Sequence, residues 1–282
     1  MLWQRVLTAI VGIPVLLTLT YLGGWYLGIP VILLSLLGLR EFFRLAAGSG
    51  LKPCRWIGYL AAVALLATAV AGGAKTTEPS YLLPQLLALA VGAALAEQFL
   101  RPAPPGAVAN AGAAVLGVLY LPFLLSYLVK LRGLFFESMF LFGSGLVVER
   151  GACWVVLLIF TCWAEDTAAY GIGKALGRHK LCPKISPGKT VEGSAAGWLG
   201  AVLVAAGLGS VFGLPLVHGF ALGAIIGVVG QLGDLSKSIM KRQAGVKDSG
   251  TILPGHGGVL DRFDSLLFSA PAAYYYIAWI WS

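Results

Sequence analysis

The chain has 282 residues, 58% hydrophobic and only 11% charged, with 20 Lys and Arg against 12 Asp and Glu for a net charge of +8. A soluble domain of this length needs far more surface charge, and runs such as 56–73 and 193–211 carry none, so lipid is the solvent for most of the chain. The positive excess lies in short segments at the ends of apolar runs rather than in a separate basic domain, which argues against a nucleic-acid partner and for anionic headgroups and phosphates.

Nine apolar stretches follow one another at 6–22, 25–39, 56–73, 81–100, 107–129, 152–174, 193–212, 215–235 and 264–281. Each approaches the roughly 20 residues that cross a bilayer. Arg5 ahead of the first stretch resembles a signal peptide, but no small-x-small cleavage site is evident before the second begins, so an uncleaved span is expected. With the N-terminus cytoplasmic, all but Lys75, Lys130, Arg132 and Arg150 of the Lys and Arg residues fall on the inner side, as the positive-inside rule requires. The expected fold is therefore all-α and polytopic, with about nine transmembrane helices. The Ala/Gly bias of 57–117 suits close helix packing in lipid. Cys54, Cys153, Cys162 and Cys182 show no C-x-x-C spacing, and His179, His218 and His256 are scattered, so neither zinc nor a disulfide framework is indicated. Residues 1–150 are nearly bare of intramembrane charge and suit a scaffold with lipid or dimer contacts. Residues 151–282 hold nearly all the polar constellations and suit a catalytic region with cytoplasmic loops at 175–192 and 236–263.

In that second part, Asp166, Tyr170 and Lys174 are spaced i, i+4 and i+8 and share one helical face. A carboxylate near the end of an apolar span is costly unless paired or facing a hydrated cavity, which marks Asp166 as functional and leaves Glu165 open. The segment 184–193, KISPGKTVEG, follows directly before a span. Its Gly-Lys-Thr lacks the upstream glycine of a phosphate loop, Pro183 standing there, and no strand is expected before it. What remains is Ser186, Lys189 and Thr190 at a helix N-terminus that attracts phosphate, or simply a helix start capped by Thr190 or Ser186.

Residues 231–264 hold four aspartates, Asp234, Asp248, Asp261 and Asp264, and five cations, Lys237, Lys241, Arg242, Lys247 and Arg262. Asp234, Ser238 and Lys241 share a helical face. Gly250, Pro254, Gly255, Gly257 and Gly258 mark an irregular loop around His256, and Asp261 and Asp264 open the last stretch, where Asp264 or Ser265 can cap a helix. Carboxylate oxygens hold Mg²⁺ with substrate phosphates completing its shell, and Lys and Arg neutralise the remaining charge. Metal-assisted phosphate chemistry is thus the expected use of this cluster, against a plain solvated loop.

Ser238-Ile-Met-Lys241-Arg242, Lys247-Asp248, Leu253-Pro-Gly-His256-Gly257-Gly258 and Asp261-Arg262-Phe-Asp264 together resemble the signature of the phosphatidate cytidylyltransferase (CDP-diacylglycerol synthase) family. Asp166 to Tyr170 and Ile185 to Gly193 are similar to that family's upstream motifs. Gly188 stands where many members have a second lysine, and Lys174 where an arginine is common. The resemblance implies transfer of a cytidylyl group from CTP to phosphatidic acid, giving CDP-diacylglycerol and pyrophosphate, by in-line attack of the lipid phosphate on the α-phosphorus. On that reading Asp234 and Asp261 bind Mg²⁺ directly with Asp264 in support, a second cation being left open. Asp248 places Lys247 or that cation, and Asp166 orients a lysine or binds metal. Lys241, Arg242 and Arg262 hold the triphosphate, while Ser186, Lys189 and Thr190 receive a phosphate. Ser238 contacts substrate, Gly257 and Gly258 bring backbone N–H groups to the nucleotide, and His256 touches phosphate rather than acting as a base.

Phosphatidate arrives laterally and CTP from the cytosol, so the site is expected on the cytoplasmic side of a bacterial-type inner membrane. Small-residue faces permit a homodimer. Two alternatives remain: a CTP-dependent lipid kinase, which would release CDP instead of pyrophosphate, and a transporter, whose charges should sit near mid-span.

Overall fold

The computed structural model describes residues 2–72, 82–101, 106–134, 138–141, 146–250 and 257–281. Helix occupies each apolar stretch: α1 (Leu2–Leu22), α2 (Gly24–Gly48), α3 (Arg55–Gly72), α4 (Leu82–Phe99), α5 (Ala107–Val118) continued by a π turn (Leu119–Phe123) into α6 (Leu124–Arg132), α7 (Arg150–Leu176), α8 (Val191–Val211), α9 (Leu216–Gln243) and α10 (Leu260–Trp281). Six helical runs among the described residues, 24–48, 55–72, 107–132, 150–176, 191–211 and 216–243, are long and apolar enough to cross a membrane. The chain is a helical integral membrane protein. The π turn contains Pro122, which has no N–H for the usual i→i−4 bond.

Two antiparallel hairpins depart from the all-helical expectation. One pairs β1 (Ser138–Leu141) with β2 (Leu146–Glu149), the other β3 (Lys180–Cys182) with β4 (Ser186–Thr190). The second lies within the polar loop expected at 175–192. Lys180 stands opposite Thr190 and Cys182 opposite Ser186, with an irregularity between. An isolated two-stranded ribbon has only edge strands, which is where Pro187 is tolerated.

The described chain divides into two compact units, residues 1–133 with 240–262, and residues 134–239 with 263–282. In the first, α2 packs on α3, α5 and α6. α2 continues past its apolar stretch because Phe42, Phe43 and Leu45 still face inward. Phe43 stacks edge-on against Phe42 and Tyr59, both at 5.8 Å. Buried Arg132, counted above toward the outer face, is a helix cap: its Nε donates to Thr20 O at 2.5 Å and its Nη2 to Tyr21 O at 2.8 Å, satisfying carbonyls at the end of α1.

In the second unit, small residues set the packing. Gly197 and Gly200 of α8 lie against Ala169, Ala164 and Ala168 of α7, and Gly219 and Gly223 of α9 lie against Ala205, Ala206 and Val202 of α8. In the Ala/Gly-rich part singled out from the sequence, a Cβ added at Gly92 or Gly112 would meet no other element within 4 Å, whereas Gly58 and Gly117 seat the Phe43 and Phe42 rings.

A Cβ at Gly223 would stand 2.6 Å from Val202 Cα and 2.7 Å from Ala201 O, backbone that cannot yield. Gly223→Leu is therefore expected to destabilise the protein by about 1–3 kcal/mol or more. Gly207→Leu, where an added Cβ meets nothing within 4 Å, should melt like the wild type when both are unfolded thermally in detergent.

Candidate functional site

The second hairpin is locked at its base. Glu192, in the first turn of α8, accepts the backbone N–H groups of Arg178 at 3.1 Å and His179 at 3.2 Å, and its Oε1 lies 2.6 Å from His179 Nδ1. Thr190 caps α8 by accepting the Gly193 N–H at 3.1 Å. A Cβ at Gly177 would come within 2.6 Å of Thr190 Oγ1, so the hairpin is pressed against the end of α7. These contacts aim Lys189 at α9, where its Nζ meets Asp234 Oδ2 at 2.8 Å.

The result is a cavity of about 630 Å³. Helix α7 contributes Glu165, Asp166, Tyr170 and Lys174, the hairpin Lys180, Ser186, Lys189 and Thr190, α8 Ser194, α9 Gln231 and Asp234, and α10 Ser265. The i, i+4, i+8 face of Asp166, Tyr170 and Lys174 thus lines one wall. Asp166 Oδ1 accepts from Ser265 Oγ at 3.4 Å. Gln231 Nε2 donates to Ser194 O at 2.9 Å, and Ser194 Oγ donates to Gln231 Oε1.

Charges alternate from this wall inward. Asp234 Oδ1 lies 2.9 Å from Lys237 Nζ, and the same buried ammonium donates to Asp264. Lys237, Gln231 and Ser194 were not singled out in the sequence, although the i, i+3 spacing of Lys237 to Asp234 is visible there. Glu165 is 2% exposed and its Oε2 has no hydrogen-bond partner; a Cβ at Gly230 would strike this carboxylate.

The remaining candidates stand in the other unit, except Ser238, which is buried on α9. Lys241 Nζ pairs with Asp261 Oδ1 at 2.7 Å, and Asp261 Oδ2 accepts the Ser249 N–H at 3.0 Å. The Gly258 N–H points at the same oxygen from 3.4 Å, and Gly257 takes a left-handed φ of 82°. Arg242, Lys247, Asp248 and Arg262 are exposed. His256 lies outside the described residues.

Among the described residues no three His, Cys, Asp or Glu side chains are arranged to hold a metal by themselves. The donor set nonetheless fits Mg²⁺, which is commonly held by one or two carboxylates together with substrate phosphates. Asp234 and Asp264 already share one cation, the Lys237 ammonium, between oxygens of the hard type that Mg²⁺ takes.

Residues 3–280 match the model of the Cytidylyltransferase family. The phosphatidate cytidylyltransferase of Synechocystis sp. is 37% identical over 97% of this chain and 96% of its own. That of Staphylococcus aureus is 32% identical over 95% of each. The uncharacterized protein YnbB of Escherichia coli is 43% identical over 46% of this chain and 44% of its own length.

Removing Lys237 leaves two carboxylates short of a shared partner. Lys237→Met is expected to destabilise the protein by about 3–5 kcal/mol in chelator. Excess Mg²⁺ should restore part of the loss, read as the difference in melting temperature between EDTA and Mg²⁺ for variant and wild type.

Proposed function

Since this chain belongs to the cytidylyltransferase family, we propose that it transfers the cytidylyl group of CTP to phosphatidic acid, giving CDP-diacylglycerol and pyrophosphate. The observation that carries this reading is the polar cavity among apolar helices in which Lys189 of the hairpin meets Asp234 of α9. Such a cavity suits two phosphate-bearing substrates, since unpaired charge in an apolar surround costs several kcal/mol.

A phosphatidate phosphate is already ionised near neutrality, so a general base is not needed. One of its oxygens attacks the α-phosphorus of CTP. The new O–P bond forms as the bond from the α-phosphorus to the bridging oxygen breaks, and that electron pair leaves with pyrophosphate. Lys189, Ser186 and Thr190 receive a phosphate group. The Thr190 oxygen accepts from Gly193, yet its own proton remains free to donate. Lys174 and Lys180 add positive charge to the same cavity wall. Asp166 orients a lysine or binds metal, while Lys241, Arg242 and Arg262 hold the triphosphate and Asp248 places Lys247 or a second cation. Ser238, His256, Gly257 and Gly258 complete the substrate contacts. Asp234 and Asp261, with Asp264 in support, would hold Mg²⁺, which when bound would neutralise phosphate charge.

The remaining parts of the reading follow from hydropathy, for the number of crossings, and from the distribution of Lys and Arg, for their orientation. The N-terminus is cytoplasmic, the chain crosses about nine times, and the site opens to the cytoplasmic side of a bacterial-type inner membrane. The N-terminal helices serve as a scaffold with dimer or lipid contacts.

Radiolabelled CTP with phosphatidate and Mg²⁺ in detergent micelles tests this. Wild type should yield CDP-lipid and stoichiometric pyrophosphate, and a folded Asp261→Asn or Lys189→Ala should lose at least about 100-fold in turnover. Release of CDP with a newly phosphorylated lipid would make the protein a kinase, and absence of turnover would restore the transporter reading.

A further inference from the structure

Glu41 of α2 lies in the unit of residues 1–133 and 240–262 and has no part in the scheme above. It is 2% exposed. Its Oε1 accepts the Val259 N–H at 2.9 Å, and its Oε2 accepts the Leu260 N–H at 3.0 Å and the Ser249 hydroxyl at 2.9 Å. Val259 and Leu260 are the entry to α10, so N–H groups that a helix leaves unpaired at its start are satisfied here by a side chain from a distant helix. Gly258, just before them, has no side chain with which to cap. The start of α10 is also where a helix dipole favours negative charge.

The same carboxylate lies close against Gly250 and Gly258. A Cβ at Gly250 or at Gly258 would strike the Glu41 side chain. Ser249 Oγ lies 2.9 Å from Glu41 Oε2 and also 2.9 Å from Asp261 Oδ2, and the Ser249 N–H donates to that same Asp261 oxygen. Lys241 holds the other Asp261 oxygen. By accepting the single Ser249 hydroxyl proton, Glu41 fixes Ser249 where its N–H donates to Asp261, and so governs both the start of the helix that carries Asp261 and Asp264 and the orientation of Asp261 itself.

We propose that Glu41 is a positioning residue for cytidylyl transfer: it caps α10 from α2 and, through Ser249, holds Asp261 in its working orientation. This rests on the functional reading above. Functional groups must be held within about 0.5 Å of the productive geometry, and a misplacement of about 1 Å caused from a distance can cost roughly 100-fold in rate. Glu41→Gln keeps the volume but turns an NH₂ donor toward groups that are themselves donors.

The test compares full-length wild type, Glu41→Gln, Glu41→Asp and Ser249→Ala in detergent by three readings. These are hydrogen exchange over 257–267, thermal unfolding, and CDP-diacylglycerol formation across a Mg²⁺ titration. In Glu41→Gln, exchange should rise over 257–267 while α2 stays protected, kcat per folded molecule should fall about 10- to 100-fold, and the Mg²⁺ concentration for half-maximal rate should rise. KM for phosphatidate should hold, and Glu41→Asp should recover part of each loss. A carboxylate that only stabilises the fold would lower the melting temperature while leaving kcat per folded molecule within about twofold of wild type, and that result overturns the proposal. Unchanged exchange over 257–267 overturns it as well. Should Glu41→Gln fail to fold, Ser249→Ala decides by the same exchange and kcat readings. An inactive wild type would defeat the functional reading, whereas an active wild type with an equally active Glu41→Gln would defeat this inference alone.

Discussion

An ionised side chain drawn into an apolar helix bundle must find an opposite charge, and the series Lys189, Asp234, Lys237, Asp264 meets that demand by alternation. Each carboxylate shares a cation with its neighbour, so the hairpin is tied to α9 and α9 to the first turns of α10. The packing around the series follows from the same demand. Residues 193, 197, 219 and 223 are glycine, which lets α7, α8 and α9 approach closely beside the series. A cavity with such walls would admit anionic groups only if its cations were shared or supplemented.

Much of this was legible in the chain itself. Hydropathy located the helices because lipid rewards continuous apolar surface, and the spacing of Asp166, Tyr170 and Lys174 named a wall of the cavity because helical period alone decides which residues share a face. At Thr190 the capping reading holds: the hydroxyl caps α8, and Lys189 beside it meets Asp234. The hairpin was not legible, since Pro187 and Gly188 disfavour a strand interior and only an edge strand tolerates them.

Other features stayed hidden because their meaning depends on partners remote in sequence. Arg132 looked like a topology marker until its guanidinium was seen on the last carbonyls of α1. Glu41 sits between Arg40 and Phe42 in a stretch that invites a surface reading, and its partners lie more than two hundred residues away. Lys237 is one of five cations in its segment, and only burial separates it from the others.

The π turn between α5 and α6 carries a consequence for the far end of the chain's first helix. A π turn holds one residue more than the α-helical path would, and one residue is about 100° of rotation about a helix axis. The face that α6 presents is therefore set by a surplus residue near Pro122, and Arg132 rides on that face. Were the surplus residue deleted, α6 would rotate and carry the guanidinium away from Thr20 and Tyr21. An apparently local irregularity thus serves as the phase setting for an anchor nearly a full helix length away.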